Sequence, residues 1–183
     1  VYAPIGASNH SKHERHQEDY YATDPVAVDY LLNVESFKNV LEPACGEGHL
    51  SKRLIELGVE VHSSDLIDRG YGGVADFFGI EKWEGDLITN PPYNIAQKFV
   101  EHSLKVVPEG NKVAMFLKLT FLEGQARRKM FEKYPPKTVY VFSKRIKCAK
   151  GGDFNGFSSS AVAYAWFVWE KGFKGKPQIE WID

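Results

Sequence analysis

The tetrapeptide Asn90-Pro91-Pro92-Tyr93 carries the most specific chemistry in this sequence. An Asn side-chain oxygen and the Pro91 carbonyl can both accept hydrogen bonds from one NH2 group. Held by those two acceptors, a planar exocyclic amine has its lone pair drawn out of conjugation and aimed at an electrophile. The two prolines fix φ at about −65° and stiffen the turn, so the acceptors need little reorganisation. Tyr93 adds a flat face on which a base lifted from its stack can lie. Pro-Pro pairs also punctuate ordinary loops, so the turn has to be read with the residues ahead of it.

Those residues need a scaffold, and the chain alternates strands with helices. A helix is expected over residues 25–34, with Asp24 as cap and Pro25 in its first turn. Lys38–Ala44 reads as a strand, His49–Leu57 as a helix stopped by Gly58, and Val59–Ser64 as a second strand. Gly70–Gly73 reads as a loop, and Leu87–Thr89 as a short strand running into the Asn-Pro-Pro-Tyr turn. A helix (95–107), a strand (112–117), a helix (122–134) and a strand (138–142) follow, and then a long aromatic strand (161–170). Helices between strands imply a mostly parallel sheet with crossovers. Only a loop joins the last two strands, which predicts an antiparallel hairpin at the C-terminal edge. The expected fold is α/β and Rossmann-like, with a seven-stranded sheet. Residues 1–19 are polar and aperiodic and read as a flexible arm; residues 20–183 read as one domain.

In such sheets ligands sit at the carboxyl ends of the strands. The first long strand ends in Glu42-Pro43-Ala44-Cys45-Gly46-Glu47-Gly48, where Gly46 and Gly48 let backbone approach a ligand. Asp65 ends the next strand, placed to accept hydrogen bonds from both hydroxyls of a ribose. Further on, the Asp76 carboxylate can accept from an adenine amino group while the Phe77 amide donates to a ring nitrogen. Taken singly, Asp65 reads equally well as a solvated turn residue, and Phe77 and Phe78 as core.

Composition sets the class. The chain has 183 residues, 43% hydrophobic and 26% charged, with a net charge of −1; this is ordinary globular composition, and it argues against indiscriminate coating of nucleic acid. No apolar run is long enough to span a bilayer and no signal-peptide pattern is present, so no membrane partner is expected. Cys45 and Cys148 show no metal spacing and suit a reducing cytosol.

In this order, Val40–Gly48, Asp65, Asp76-Phe77 and Asn90-Pro91-Pro92-Tyr93 resemble the motifs of S-adenosylmethionine-dependent amino-methyltransferases. The nearest likeness is to the adenine-N6 DNA methyltransferases of restriction–modification and phage systems, over roughly residues 20–120 and, more faintly, the last strand. The resemblance implies the class I methyltransferase fold, S-adenosylmethionine as cofactor, and methyl transfer to adenine N6 of DNA in a bacterial or phage-infected cytoplasm. Tyr21-Ala22-Thr23-Asp24-Pro25 is similar to the family's N-terminal cofactor segment, which lines the methionine carboxylate. Thr23, Pro25, Glu42, Ala44, Gly46, Gly48, Asp65, Asp76, Phe77 and Asn90 are then the cofactor-binding residues. Catalysis falls to Asn90, Pro91, Pro92 and Tyr93. RNA and protein-glutamine methyltransferases share the turn. The alternatives are therefore an RNA base, cytosine N4 or a glutamine amide as acceptor, or a binding module without activity.

The 90 residues after Tyr93 are mostly needed by the sheet, so, unlike in restriction enzymes, no separate target-recognition domain is expected within residues 20–183. What remains is the loop at 143–160, with Lys144, Arg145, Lys147 and Lys150 ahead of its first acid. Cations beside glycines and the aromatics Phe154 and Phe157 suit a nucleic-acid rim, charge for phosphates and flat faces for bases. With Tyr93 they are the candidate substrate contacts; a solvated hairpin is the plainer reading. Arg127-Arg128-Lys129 reads as an exposed helix face.

Overall fold

The computed structural model describes residues 21–150 and 162–183. The expected arm, and with it Phe154 and Phe157, lies outside the described residues.

Asp24 opens the first helix as its sequence predicts. Its carboxylate accepts from the Val26 amide at 3.1 Å, Pro25 holds φ −53°, and helix α1 runs Val26–Val34. The helix buries Ala27, Val28 and Leu31 on one face. Strand β1 (Tyr21–Thr23) precedes it and β2 (Val40–Glu42) follows. Next come α2 (His49–Glu56), β3 (Val61–Asp65), β4 (Gly73–Val74) and β5 (Leu87–Thr89). The chain continues through α3 (Ala96–Val106), β6 (Lys112–Lys118), α4 (Gln125–Lys133), β7 (Thr138–Phe142), β8 (Cys148–Lys150), β9 (Tyr164–Glu170) and β10 (Gln178–Ile182).

Among the described residues eight strands form the main sheet, in the order β10-β7-β9-β6-β5-β2-β3-β4. The expectation of seven strands becomes eight: the six ranges read from the sequence are joined by β10 at one edge and the two-residue β4 at the other. β9 alone runs against the rest, paired antiparallel with both β6 and β7. It sits between them, and parallel β10 covers the end of the sheet, so the predicted hairpin lies one strand in from the edge. Outside this sheet, β1 and β8 form an antiparallel ribbon with Thr23 opposite Cys148.

The central strands are buried on both faces, which is why they read as continuous apolar runs. One face packs Val100, Leu104, Met115 and Phe167 under α3 and α4. The other packs Val28, Leu31, Leu54, Phe116 and Trp166 under α1 and α2. Trp166 is fully buried, and its indole nitrogen donates to the Ala27 carbonyl at 2.7 Å. Among the described residues no helix is long and apolar enough to cross a membrane.

Candidate active site

Side by side, β3, β2, β5 and β6 end on Asp65, Glu42, Thr89 and Lys118, and Asn90 follows Thr89 directly. The four strands are parallel, so their carboxyl ends open on one edge, the ligand-binding edge of open α/β sheets. A cavity of about 470 Å³ lies there. Its wall includes Thr23, Glu42, Ala44, Asp65, Asp76, Phe77 and the whole Asn90–Tyr93 turn. The sequence motifs, spread over 70 residues, thus meet in one space. Pro25, Gly46, Gly48, Lys144, Arg145 and Lys147 are not part of that wall.

The glycine turn has its own geometry. Gly46 and Gly48 adopt φ 55° and 82°, a backbone region costly to residues with a Cβ. The Gly46 amide donates to Asp65 at 2.9 Å, and the other Asp65 oxygen accepts from the Ile67 amide at 3.0 Å. The carboxylate at the end of β3 therefore ties the glycine turn to the strand beside it. A Cβ on Gly48 would stand 2.3 Å from the Tyr71 ring. Tyr71 takes the side of Gly48 on which a Cβ would stand, and Pro43, Ala44 and Cys45 line the cavity.

Glu42 is 1% exposed. Burial pushes its carboxyl up to about 8, against the Ser51 hydrogen bond, which favours the ionised form, and with a smaller push from Asp65. Ser51 donates to Glu42 and lies 2.6 Å from the Ser63 hydroxyl. Below Glu42 the free Cys45 is buried, its thiol pushed up to about 12 by desolvation and then by Glu42 and Asp65. Ser51 as the partner of Glu42 was not visible in the sequence, because an inward serine on a helix has no distinguishing pattern.

At the far wall the two phenylalanines divide their roles. Phe77 is 3% exposed and packs on Phe99 and edge-on against His102. Phe78 is 42% exposed and lines the cavity together with Leu66 and Ile67. Asp76 caps this turn, accepting from the Phe78 amide at 3.0 Å.

The Asn-Pro-Pro-Tyr turn closes the cavity on the β5 side. The Asn90 carboxamide nitrogen donates to the Thr23 hydroxyl at 2.8 Å. The Tyr93 ring carries the Lys118 ammonium 4.4 Å from its centroid, and its hydroxyl lies 3.2 Å from that of Thr120. Opposite Lys118 in the ladder is Tyr164, stacked on Phe116 at 4.8 Å and 13°. Lys118 and Tyr164 both line the cavity. Sequence reasoning missed them; the position of Lys118 at the end of its strand was the available signal.

Lys144, Arg145 and Lys147 are exposed, around the buried anchor Ile146. Lys150 ends β8, whose partner strand carries Thr23. On α4, Arg128 pairs with Glu132, and Arg127 lies over the Phe121 ring, in keeping with a solvated helix face.

No family model matches the sequence, and no curated protein matches it. Solved structures do match. A candidate RNA methyltransferase from Pyrococcus horikoshii superposes with a TM-score of 0.52 at 15% identity, over 80% of this chain and 79% of that one. A candidate class I S-adenosylmethionine-dependent methyltransferase from Listeria monocytogenes gives 0.51 at 14%, over 85% of this chain and 61% of that one. The methyltransferase subunit of a type I restriction–modification system from Streptococcus thermophilus gives 0.57 at 15%, over 88% of this chain and 48% of that one. The chain thus spans about half the length of the streptococcal subunit. At these identities the likeness is one of fold, and the fold is that of the class I methyltransferases.

Proposed function

We propose that this protein transfers a methyl group from S-adenosylmethionine to an exocyclic amino nitrogen, with adenine N6 of DNA as the acceptor. One observation carries the reading: the Asn90-Pro91-Pro92-Tyr93 turn shares a single cavity with the carboxylates at the ends of β2 and β3. Acceptor chemistry and cofactor chemistry are therefore within reach of each other.

The residues present fit the cofactor. Asp65 spends one lone pair of each oxygen on Gly46 and Ile67, and a carboxylate has about four acceptor positions, which leaves capacity for ribose hydroxyls. Phe78, Leu66 and Ile67 offer an apolar rim suited to an adenine ring. Glu42 is a buried carboxyl lining the same space, suited to a cationic neighbour that would favour its ionised form. When bound, S-adenosylmethionine supplies an electrophilic methyl, and transfer breaks its S–C bond as the N–C bond forms.

Asn90 Oδ1 and the Pro91 carbonyl accept from the target NH2 and hold its lone pair towards the methyl carbon. Tyr93 supports the ring of the base. Positioning of this kind contributes on the order of 7–11 kcal/mol in ideal cases, enough that no protein nucleophile is called for. The proton leaves the methylated nitrogen to water. Lys144, Arg145, Lys147 and Lys150 supply charge for the phosphate backbone. The acceptor class is tested by incubating methyl-labelled cofactor with DNA, RNA and protein pools separately. Label in DNA supports the reading, and label confined to RNA or protein replaces it. Label in none of the three leaves a binding module.

A further inference from the structure

Thr23 and Asn90 are 67 residues apart and meet through one hydrogen bond of 2.8 Å, donated by the Asn90 carboxamide nitrogen. Thr23 is 2% exposed, so water does not readily replace it. A carboxamide is planar, with its nitrogen and oxygen on opposite sides. Fixing the nitrogen on Thr23 directs the oxygen away from β1. A carboxamide turned over by 180° would set its own NH2 against the NH2 of an acceptor, and two donors cannot bond each other. The chemistry of the turn therefore depends on which way this amide lies.

The strand that bears Thr23 is itself held from outside the sheet. Thr23 stands opposite Cys148 on β8, and the next residue, Asp24, donates its amide to the Lys147 carbonyl at 3.1 Å. Lys147 closes the exposed stretch that begins at Lys144. The ribbon thus joins the base of the cationic loop to the amide of Asn90.

We propose that Thr23 is a positioning residue: its hydroxyl sets the orientation of the Asn90 carboxamide, and the β1–β8 ribbon holds it in register for that purpose. This rests on the reading of Asn90 as the acceptor-binding residue. It differs from a role for Thr23 at the cofactor's methionine end, because the effect runs through Asn90 and persists when cofactor saturates.

The test compares Thr23→Val, which keeps the shape and removes the oxygen, with Thr23→Ser, which keeps the oxygen. Single-turnover methylation of a randomised DNA duplex is measured at saturating cofactor, alone and in combination with Asn90→Ala. Thr23→Val should slow transfer about 10- to 100-fold, the scale of a small misplacement of a reacting group. Thr23→Ser should stay within about threefold of the parent, and Thr23→Val should add nothing to Asn90→Ala. Parental rates in Thr23→Val, full rescue by excess cofactor, or an equal loss in Thr23→Ser would overturn the proposal. A second measurement needs no turnover. In protein labelled with 15N-asparagine, the Asn90 NH2 pair is identified by its absence in Asn90→Ala. Its shifts and exchange protection should change in Thr23→Val and persist in Thr23→Ser; an unchanged pair in Thr23→Val overturns the proposal. Full transfer by Asn90→Ala is a separate result, and it sinks the functional reading itself.

Discussion

The Lys118 ammonium lies over the Tyr93 ring, 4.4 Å from its centroid. A cation over an aromatic ring contributes about 0.5–2 kcal/mol, whereas a base stacked on an aromatic side chain contributes about 1–3 kcal/mol. On the proposed function, a base stacked on Tyr93 would take the place of the ammonium, and a nucleic-acid phosphate would give the displaced charge a new partner.

Tyr93→Ala should weaken binding of single-stranded DNA by about 1–3 kcal/mol. Tyr93→Phe keeps the ring and loses only the contact with Thr120, so it should bind within a few-fold of the parent. Fluorescence anisotropy with cofactor present measures both. Equal affinity for the alanine variant would remove Tyr93 from the acceptor site.

Asp65→Ala should lower S-adenosylmethionine affinity by about 1.5–3 kcal/mol, the range for lost hydrogen bonds to a charged group. It should also loosen the glycine turn, since the Gly46 and Ile67 amides both lose an acceptor. Calorimetry on the folded variant checks the first effect. Unchanged affinity would leave Asp65 with a structural role alone.

Much of this site was legible in advance. Glu42, Asp65 and Asn90 each end or follow a parallel strand, and the turn chemistry of Asn-Pro-Pro-Tyr is local, so sequence order was enough to group them. Helix α1 was legible for the same reason, since its cap and its proline are adjacent. The β1–β8 ribbon was not: each strand has three residues, too few for any period, and their pairing spans most of the chain. β10 alternates over Gln178, Ile179, Glu180 and Trp181, yet Ile179 and Trp181 are exposed and Ile182, which breaks the alternation, is the buried residue of the strand, so its pattern does not report a core. The packing of Tyr71 against Gly48 was not legible either, because a glycine in a turn does not reveal which ring stands beside it.

The pH dependence of folding should expose Glu42. Its carboxyl titrates near 4.5 when unfolded and near 8 when folded. Between those values the folded chain keeps a proton that the unfolded chain has lost, so stability falls as pH rises and levels off above the folded value. One such proton gives a slope of up to about 1.4 kcal/mol per pH unit. Glu42→Gln should flatten that slope, measured by urea unfolding across the window. A slope equal in both proteins would place the titration elsewhere. Cofactor affinity should run the opposite way, rising with pH up to about 8, because a cationic ligand favours the ionised carboxylate.

Gly48→Ala should destabilise the fold by about 1–2 kcal/mol from the left-handed backbone alone, with more from the collision with Tyr71. In a Tyr71→Ala background only the backbone part should remain. Urea denaturation of the two pairs separates the contributions, and an equal loss in both backgrounds would show that Tyr71 moves aside freely.

The central claim is that Asn90 presents an amino nitrogen of a DNA base to the cofactor's methyl group. The direct measurement is single-turnover labelling of unmethylated DNA with methyl-labelled S-adenosylmethionine, followed by digestion to nucleosides and chromatography, for the parent and for Asn90→Ala. The account predicts label in N6-methyldeoxyadenosine with the parent. It predicts a rate lower by about a hundred- to a thousand-fold in the variant, with cofactor affinity within a few-fold. A variant rate within tenfold of the parent, or label on any atom other than an exocyclic nitrogen, would contradict it.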